Sequence, residues 1–142
     1  MNAKEYLEQA YRLDQEINEK LEQLERHRAL AQKVTASYAG VYVSHTRNNT
    51  SLEDTIVRMI EAEEAMNRKI DELINLKIEI AETINQVRNE NYRLILEMRY
   101  LGFHTWEEIA DTLHYTVRWV RKMHARALDV VDAILKERQH EL

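Results

Sequence analysis

Between Leu52 and Val87, steps of four and three residues alternate without a slip, landing on Leu52, Ile56, Met59, Glu63, Met66, Ile70, Leu73, Lys77, Ile80, Ile84 and Val87. Nine of these eleven positions are apolar. That repeat marks a helix whose narrow seam packs against another helix rather than against a broad core. At ~1.5 Å per residue such a helix is about 54 Å long, and it cannot bury its seam alone. Glu63 and Lys77 lie on the seam two heptads apart. They either fix register and partner orientation or lift their charged ends to its edge.

A first helical stripe precedes it, with Leu7, Ala10, Leu13, Ile17, Leu21, Leu24, Ala31 and Val34 at helical spacing and Arg28 interrupting. Glu, Gln, Lys and Arg fill the other faces. Between the stripes, Ser37–Ser51 carries Gly40, a β-like Val41-Tyr42-Val43 and the pair Asn48-Asn49. Thr50-x-x-Glu53 then reads as a capping box. The expectation is a coiled-coil oligomerisation or interaction region over residues 1–87, with helices at about 3–36 and 51–87 and a loop at 37–50. That loop lets the first helix return antiparallel on the second; it equally allows disorder, or a first helix that reaches another subunit.

Composition narrows the class. The chain has no Pro and two Gly in 142 residues, too few for the turns of a sheet protein, so an all-α fold is expected. With no Cys there is no disulfide, thiolate zinc site or cysteine nucleophile. Two isolated glycines build no phosphate loop. The six His never stand at i, i+4 with a carboxylate between, and no Ser-His pairing occurs in a recognisable context. Neither enzyme activity, a metal nor a cofactor is expected. No apolar run approaches the roughly 18 residues of a membrane span, and the polar start is no signal peptide, which predicts a soluble, cytoplasmic protein.

The last third, residues 88–142, holds the most specific pattern. Asn89-Glu90-Asn91 breaks the long repeat, Leu94, Ile95, Met98 and Leu101 give a shorter helix its buried face, and Gly102 suits a left-handed end. Thr105-Trp106-Glu107-Glu108 is a second capping box. A short helix follows with Ile109, Ala110 and Leu113, then Thr116 as the next N-cap candidate. The last helix keeps Val120, Met123, Ala127, Val130 or Val131, and Ile134 on one stripe. Two helices joined by a tight turn, the second basic, describe a helix-turn-helix. Counting from Trp106 as position one, the small residue at position five is Ala110. Apolar positions 4, 8, 10, 15 and 18 are Ile109, Leu113, Tyr115, Val120 and Met123. Position nine, often glycine for its positive φ, is His114, which tolerates that conformation better than most residues. Trp106 reads as core, and Arg99 and Tyr100 as scaffold.

Charge agrees. The net charge of −5 belongs to residues 1–87, with eleven basic against sixteen acidic side chains, while residues 88–142 hold nine of each. Thr112–Leu128 contains Arg118, Arg121, Lys122 and Arg126 and no acid. Salt screens charges beyond about 10 Å, so this stretch can approach phosphates on an acidic protein; the alternative is a solvated helix face, or arginines paired with Glu107, Glu108 or Asp111.

Asn91 to Val131 resembles region 4 of the sigma-70 family of bacterial transcription initiation factors. The shared features are Met98-Arg99-Tyr100-Leu101, then Thr105-x-x-Glu108-Ile109-Ala110, then Val120-Arg121 followed by Ala127-Leu128. These cover about 40 of 142 residues, and no sigma region 2 is present. With its coiled-coil hairpin, the chain also resembles small phage or prophage proteins of Gram-positive bacteria related to late-gene transcription regulators. The resemblance implies a sequence-specific regulator bound to double-stranded DNA, its last helix in the major groove; the coiled-coil seam predicts a homodimer or higher homo-oligomer formed through the N-terminal helices. The DNA-facing set is then Thr116, Val117, Arg118, Trp119, Arg121, Lys122 and Arg126. Arg118 and Arg121 suit guanine O6 and N7, Thr116 a phosphate, and Lys122 and Arg126 the backbone. Trp119 either stacks on the nucleic acid or completes the core. Competing readings are a DNA-packaging subunit of the small-terminase kind, or an adaptor that binds bacterial RNA polymerase without touching DNA.

Overall fold

A computed structural model describes the backbone of residues 1–39 and 46–141 and the side chains of residues 1–37 and 51–140. The described residues form α1 (Ala3–Ala39), α2 (Thr46–Asn85), α3 (Glu90–Leu96), α4 (Trp106–Leu113) and α5 (Val117–Glu141), with no strand among them. A π-helical turn, Glu97–Leu101, continues α3. The fold is all-α, and among the described residues no helix is long and apolar enough to cross a membrane.

Both long helices extend past the expected loop boundaries at 37 and 50. Neither Gly nor Pro occurs at 46–50 to stop α2 from growing upstream, so Thr50 lies inside α2 and not at its cap. Gly40 and Val41-Tyr42-Val43 lie outside the described residues. At the other end α2 stops at Asn85, and Asn89 caps α3 by accepting the Tyr92 N–H at 3.1 Å.

The helices gather into two compact units: Glu16–Ile74, and a discontinuous unit of Met1–Gln15 with Asn75–Leu142. The division at residue 87 expected from the repeat is therefore not the division of the packing. Within Glu16–Ile74, only α1 and α2 are present and they run antiparallel. The Arg28 guanidinium reaches Glu63 at 2.7 Å, and His27 Nε2 meets the Met59 carbonyl at 2.8 Å. Ile17, Leu24, Ile70 and Leu73 are buried, but Leu52, Ile56, Met59 and Met66 stay half-buried, since two helices alone cannot enclose a seam. Leu21, placed on the stripe by spacing, points outward instead.

In the other unit, the beginning of α1 packs along the end of α2. Tyr6 and Thr83 share a hydroxyl contact of 3.1 Å, and Lys77 pairs with Asp14. Helix α5 joins them through Asp132, whose carboxylate accepts the Ala3 N–H at 2.7 Å, and through Arg138 beside Glu79 at 3.8 Å. Leu7, Ala10, Ile80, Ile84, Val87, Leu96 and Val131 are buried here. A neighbouring cluster of Ile95, Ile109, Ala110, Val120 and Met123 forms the core between α3, α4 and α5.

The turn after α3 corrects one expectation. Gly102 sits at φ −93°, a right-handed conformation, and the left-handed residue is Phe103 at φ 57°. The π-helical turn carries one residue more than an α-turn, with the Gly102 N–H bonded to Glu97 O at 2.9 Å, which moves the reversal one position on. A Cβ at 102 would lie 2.7 Å from His104 Cδ2 and 3.1 Å from the Met98 carbonyl, so a side chain there would displace the part-exposed His104 imidazole.

His114 does take the left-handed conformation, at φ 60° and ψ 41°. The Tyr115 N–H then closes onto Ala110 O at 3.0 Å, satisfying a carbonyl that the helix end would orphan. A side chain with a Cβ costs ~1 kcal/mol or more there. His114→Gly is expected to stabilise the protein by about 0.5–1 kcal/mol in urea unfolding. A variant less stable than the parent would show that the imidazole makes compensating contacts.

Candidate nucleic-acid interface

Two capped helices set the geometry. Thr105 caps α4: its hydroxyl accepts the Glu108 N–H at 3.2 Å and lies 3.2 Å from the Glu108 carboxylate. That carboxylate also meets His104 Nδ1 at 2.9 Å. These hydrogen bonds, the one from His104 foremost, hold the Glu108 pKa below the usual carboxylate value. Three residues join α4 to α5, and the Thr116 hydroxyl accepts the Trp119 N–H at 3.1 Å to cap the second helix. Each such cap contributes about 1 kcal/mol. Burial of Ile109, Ala110, Val120 and Met123 fixes the two helices against each other, with a small residue at Ala110 as the spacing requires. Tyr115, read as an apolar position, is 41% exposed.

The sequence-derived set divides into three groups. Thr116, Arg118, Trp119, Lys122 and Arg126 are exposed. With about 100° per residue, Arg118, Lys122 and Arg126 descend one side of α5 from its start. Trp119 stands beside them at 39% exposure, and the Arg126 guanidinium lies 5.7 Å from its ring centroid. The indole is thus on the surface and not in the core. Val117, expected in the exposed set, is half-buried and packs on the Ile109–Val120 cluster. Arg121 is exposed on the opposite flank, its guanidinium 5.5 Å from the Trp106 ring.

Among the described residues none of Arg118, Arg121, Lys122 and Arg126 is in an ion pair. Pairing with Glu107, Glu108 or Asp111 does not occur. The placement also runs against helix stability. A helix start carries a partial positive charge and favours acids; α4 has Glu107 and Glu108 in its first turn, whereas α5 has no acid there. Like charges at i, i+4, such as Arg118 and Lys122, repel by about 0.2–0.5 kcal/mol. An approaching anion relieves both effects.

A protein-family model described as "Protein of unknown function (DUF1492)" matches residues 34–129. The chain belongs to this family. No curated protein and no solved structure matches the chain. The family match takes in α2, α3, α4 and α5 as far as Asp129, and with it the whole cationic set.

Behind the exposed face lies a polar pair that the spacing argument passed over. His124 falls on the same buried stripe as Val120 and Ala127, and its Nε2 lies 2.7 Å from the Tyr100 hydroxyl. Trp106 packs edge-on against the imidazole with centroids 4.7 Å apart, and Arg99 lies over the same indole at 4.4 Å. A histidine at helical spacing between apolar stripe positions was the available signal. Burial, then the charges of Arg99, Lys4 and Arg121, push the His124 pKa down to about 4. Burial above all pushes the Tyr100 hydroxyl up to about 12.

His124 is therefore neutral in the folded protein, while the unfolded chain takes up its proton near pH 6.5. The stability linked to it is complete above that value and is lost as pH falls from about 6.5 towards 4. The urea midpoint should drop between about pH 7.5 and 4.5, and less steeply in His124→Gln, whose side chain does not titrate. Equal drops in the two proteins would assign the acid sensitivity to carboxylates instead.

Proposed function

We propose that the chain is a sequence-specific DNA-binding transcription regulator, of phage origin, that reads the major groove with the start of α5. One observation carries the reading: three cations and an indole occupy the exposed first turns of a capped helix, without acids to neutralise them. The likeness of residues 91–131 to sigma-70 region 4 supports the same orientation. Arg118 faces a base edge, suited to guanine O6 and N7; Thr116 and the α5 start take a phosphate. Lys122 and Arg126 hold the backbone, and Trp119 packs on sugar or base. Arg121, on the flank, reaches the groove only by leaving Trp106.

One recognition helix with so few cations binds weakly, and a second copy adds contacts through effective concentration. We assign self-association to α1 and α2, as a dimer or higher oligomer. The outward Leu21, Leu30, Val57 and Ile60, each about half exposed or more, support this, as does the half-buried seam.

Selection of bound duplexes from a random pool should return a recurring site. On that site Arg118→Ala is expected to cost on the order of 1–3 kcal/mol and to relax the preference at one base pair. Lys122→Ala should weaken all duplexes alike and reduce the log–log salt slope by about one. If neither variant changes affinity, α5 is not the reading helix. Light scattering at micromolar concentration should give at least a dimer; a monomer there removes the assignment of α1 and α2 to self-association.

A further inference from the structure

A cavity of about 650 Å³ opens between the beginning of α1, the π-helical turn and α5. Its volume lies in the range of small-molecule sites, roughly 300–1,000 Å³, and is far larger than a bare phosphate needs. Three cations border it: Lys4 from α1, Arg99 from the π-helical turn and Arg121 from α5. The only acid on its wall is Glu8, 4.0 Å from Lys4. Among the described residues, neither Arg99 nor Arg121 is in an ion pair; both guanidiniums lie over Trp106. Arg99 is further fixed by donating to the His104 carbonyl at 2.9 Å. The wall thus carries a surplus of two positive charges on side chains that converge from three elements. Burial first, and then the charges of these same three residues, hold the His124 pKa low.

The rest of the wall is Leu7 and aromatic rings. Phe103 stands at the rim, 37% exposed, with its ring edge-on to Tyr11 at 5.2 Å. A phenylalanine at positive φ is strained, so the backbone is held in an unfavourable conformation at the residue that brings this ring to the mouth. A site with a surplus of two positive charges suits a dianion. Aromatic walls suit a flat ring, and a lone carboxylate accepts hydrogen bonds from hydroxyls.

We propose that this cavity binds a nucleoside monophosphate: the phosphate between Lys4, Arg99 and Arg121, the base against Phe103 and Tyr11, and the ribose hydroxyls towards Glu8. The site is independent of whether α5 reads DNA, and the test contains no DNA, so the two readings fail separately.

The full-length protein is titrated calorimetrically with the four ribonucleoside 5′-monophosphates, with inorganic phosphate and with adenosine, while the Trp106 indole N–H is followed by NMR. At least one nucleotide should bind about tenfold more tightly than phosphate or adenosine and shift Trp106. Lys4→Ala and Arg121→Ala, both at exposed positions, should each weaken it about fivefold or more with unchanged circular dichroism. The proposal is overturned if no nucleotide binds up to roughly 5 mM. It is also overturned if phosphate binds as well as the nucleotides, or if both variants bind like the parent.

Discussion

Helix α5 has to bury an apolar stripe along about seven turns, and no single neighbour covers it. Its first turns set Val120 and Met123 against Ile95, Ile109 and Ala110. Further along, Ala127 and Val131 are buried where the beginning of α1 and the end of α2 come alongside, tied by Asp132 and Arg138. Covering the second half requires residues from the start of the chain, and this makes the unit discontinuous. It also dictates what stays outside. With the stripe committed along its whole length, the start of α5 presents Arg118, Lys122 and Arg126 outward, and Arg121 is left at the edge of the α1 contact.

The electrostatics of that start do not help the fold. A cation near the positive end of a helix costs on the order of 0.3–1 kcal/mol when exposed, and the Arg118–Lys122 repulsion adds a few tenths. Against a typical domain stability of 5–15 kcal/mol this is tolerable but not favourable. The same chain solves the problem the ordinary way at α4, where Glu107 and Glu108 follow the cap. Two helix starts eleven residues apart thus carry opposite charge patterns. Only the first pattern serves the helix itself.

Local rules reached the features that local physics decides. Side chain–backbone contacts within three residues made Thr105 and Thr116 recognisable as caps, and the tight turn required a left-handed residue at His114. The four-three repeat picked out positions of α2 that are buried or half-buried along its length. What escaped depends on distant neighbours. Gly102 looked like the left-handed residue because the π-helical widening that shifts the reversal to Phe103 has no sequence spacing of its own. Val117 looked free because its cover comes from the packed cluster of α3, α4 and α5. Arg121 looked equivalent to Arg118 until Trp106, on α4, placed its ring beside the Arg121 guanidinium. The boundary at residue 87 follows the repeat, whereas packing follows the need of α5 for α1.

The charged seam residues show how a two-helix pairing chooses one register among several. Within Glu16–Ile74, Arg28 faces Glu63; within the other unit, Asp14 faces Lys77. In both pairs the residue numbers add to the same value, so the same alignment is specified twice. A slip of one heptad keeps apolar positions on the seam, and hydrophobic burial alone would scarcely oppose it. The slip would instead set Glu63 against Leu21 or Thr35, and Lys77 against Leu7 or Leu21. Arg28 and Asp14 would meet isoleucines, Ile56 or Ile70 and Ile70 or Ile84 respectively. The pairs themselves, about one-third exposed or more, contribute little net stability. Either slip breaks both pairs and sets Arg28 and Asp14 against isoleucines. The two pairs therefore mark one alignment that apolar burial alone would leave nearly degenerate with its one-heptad neighbours.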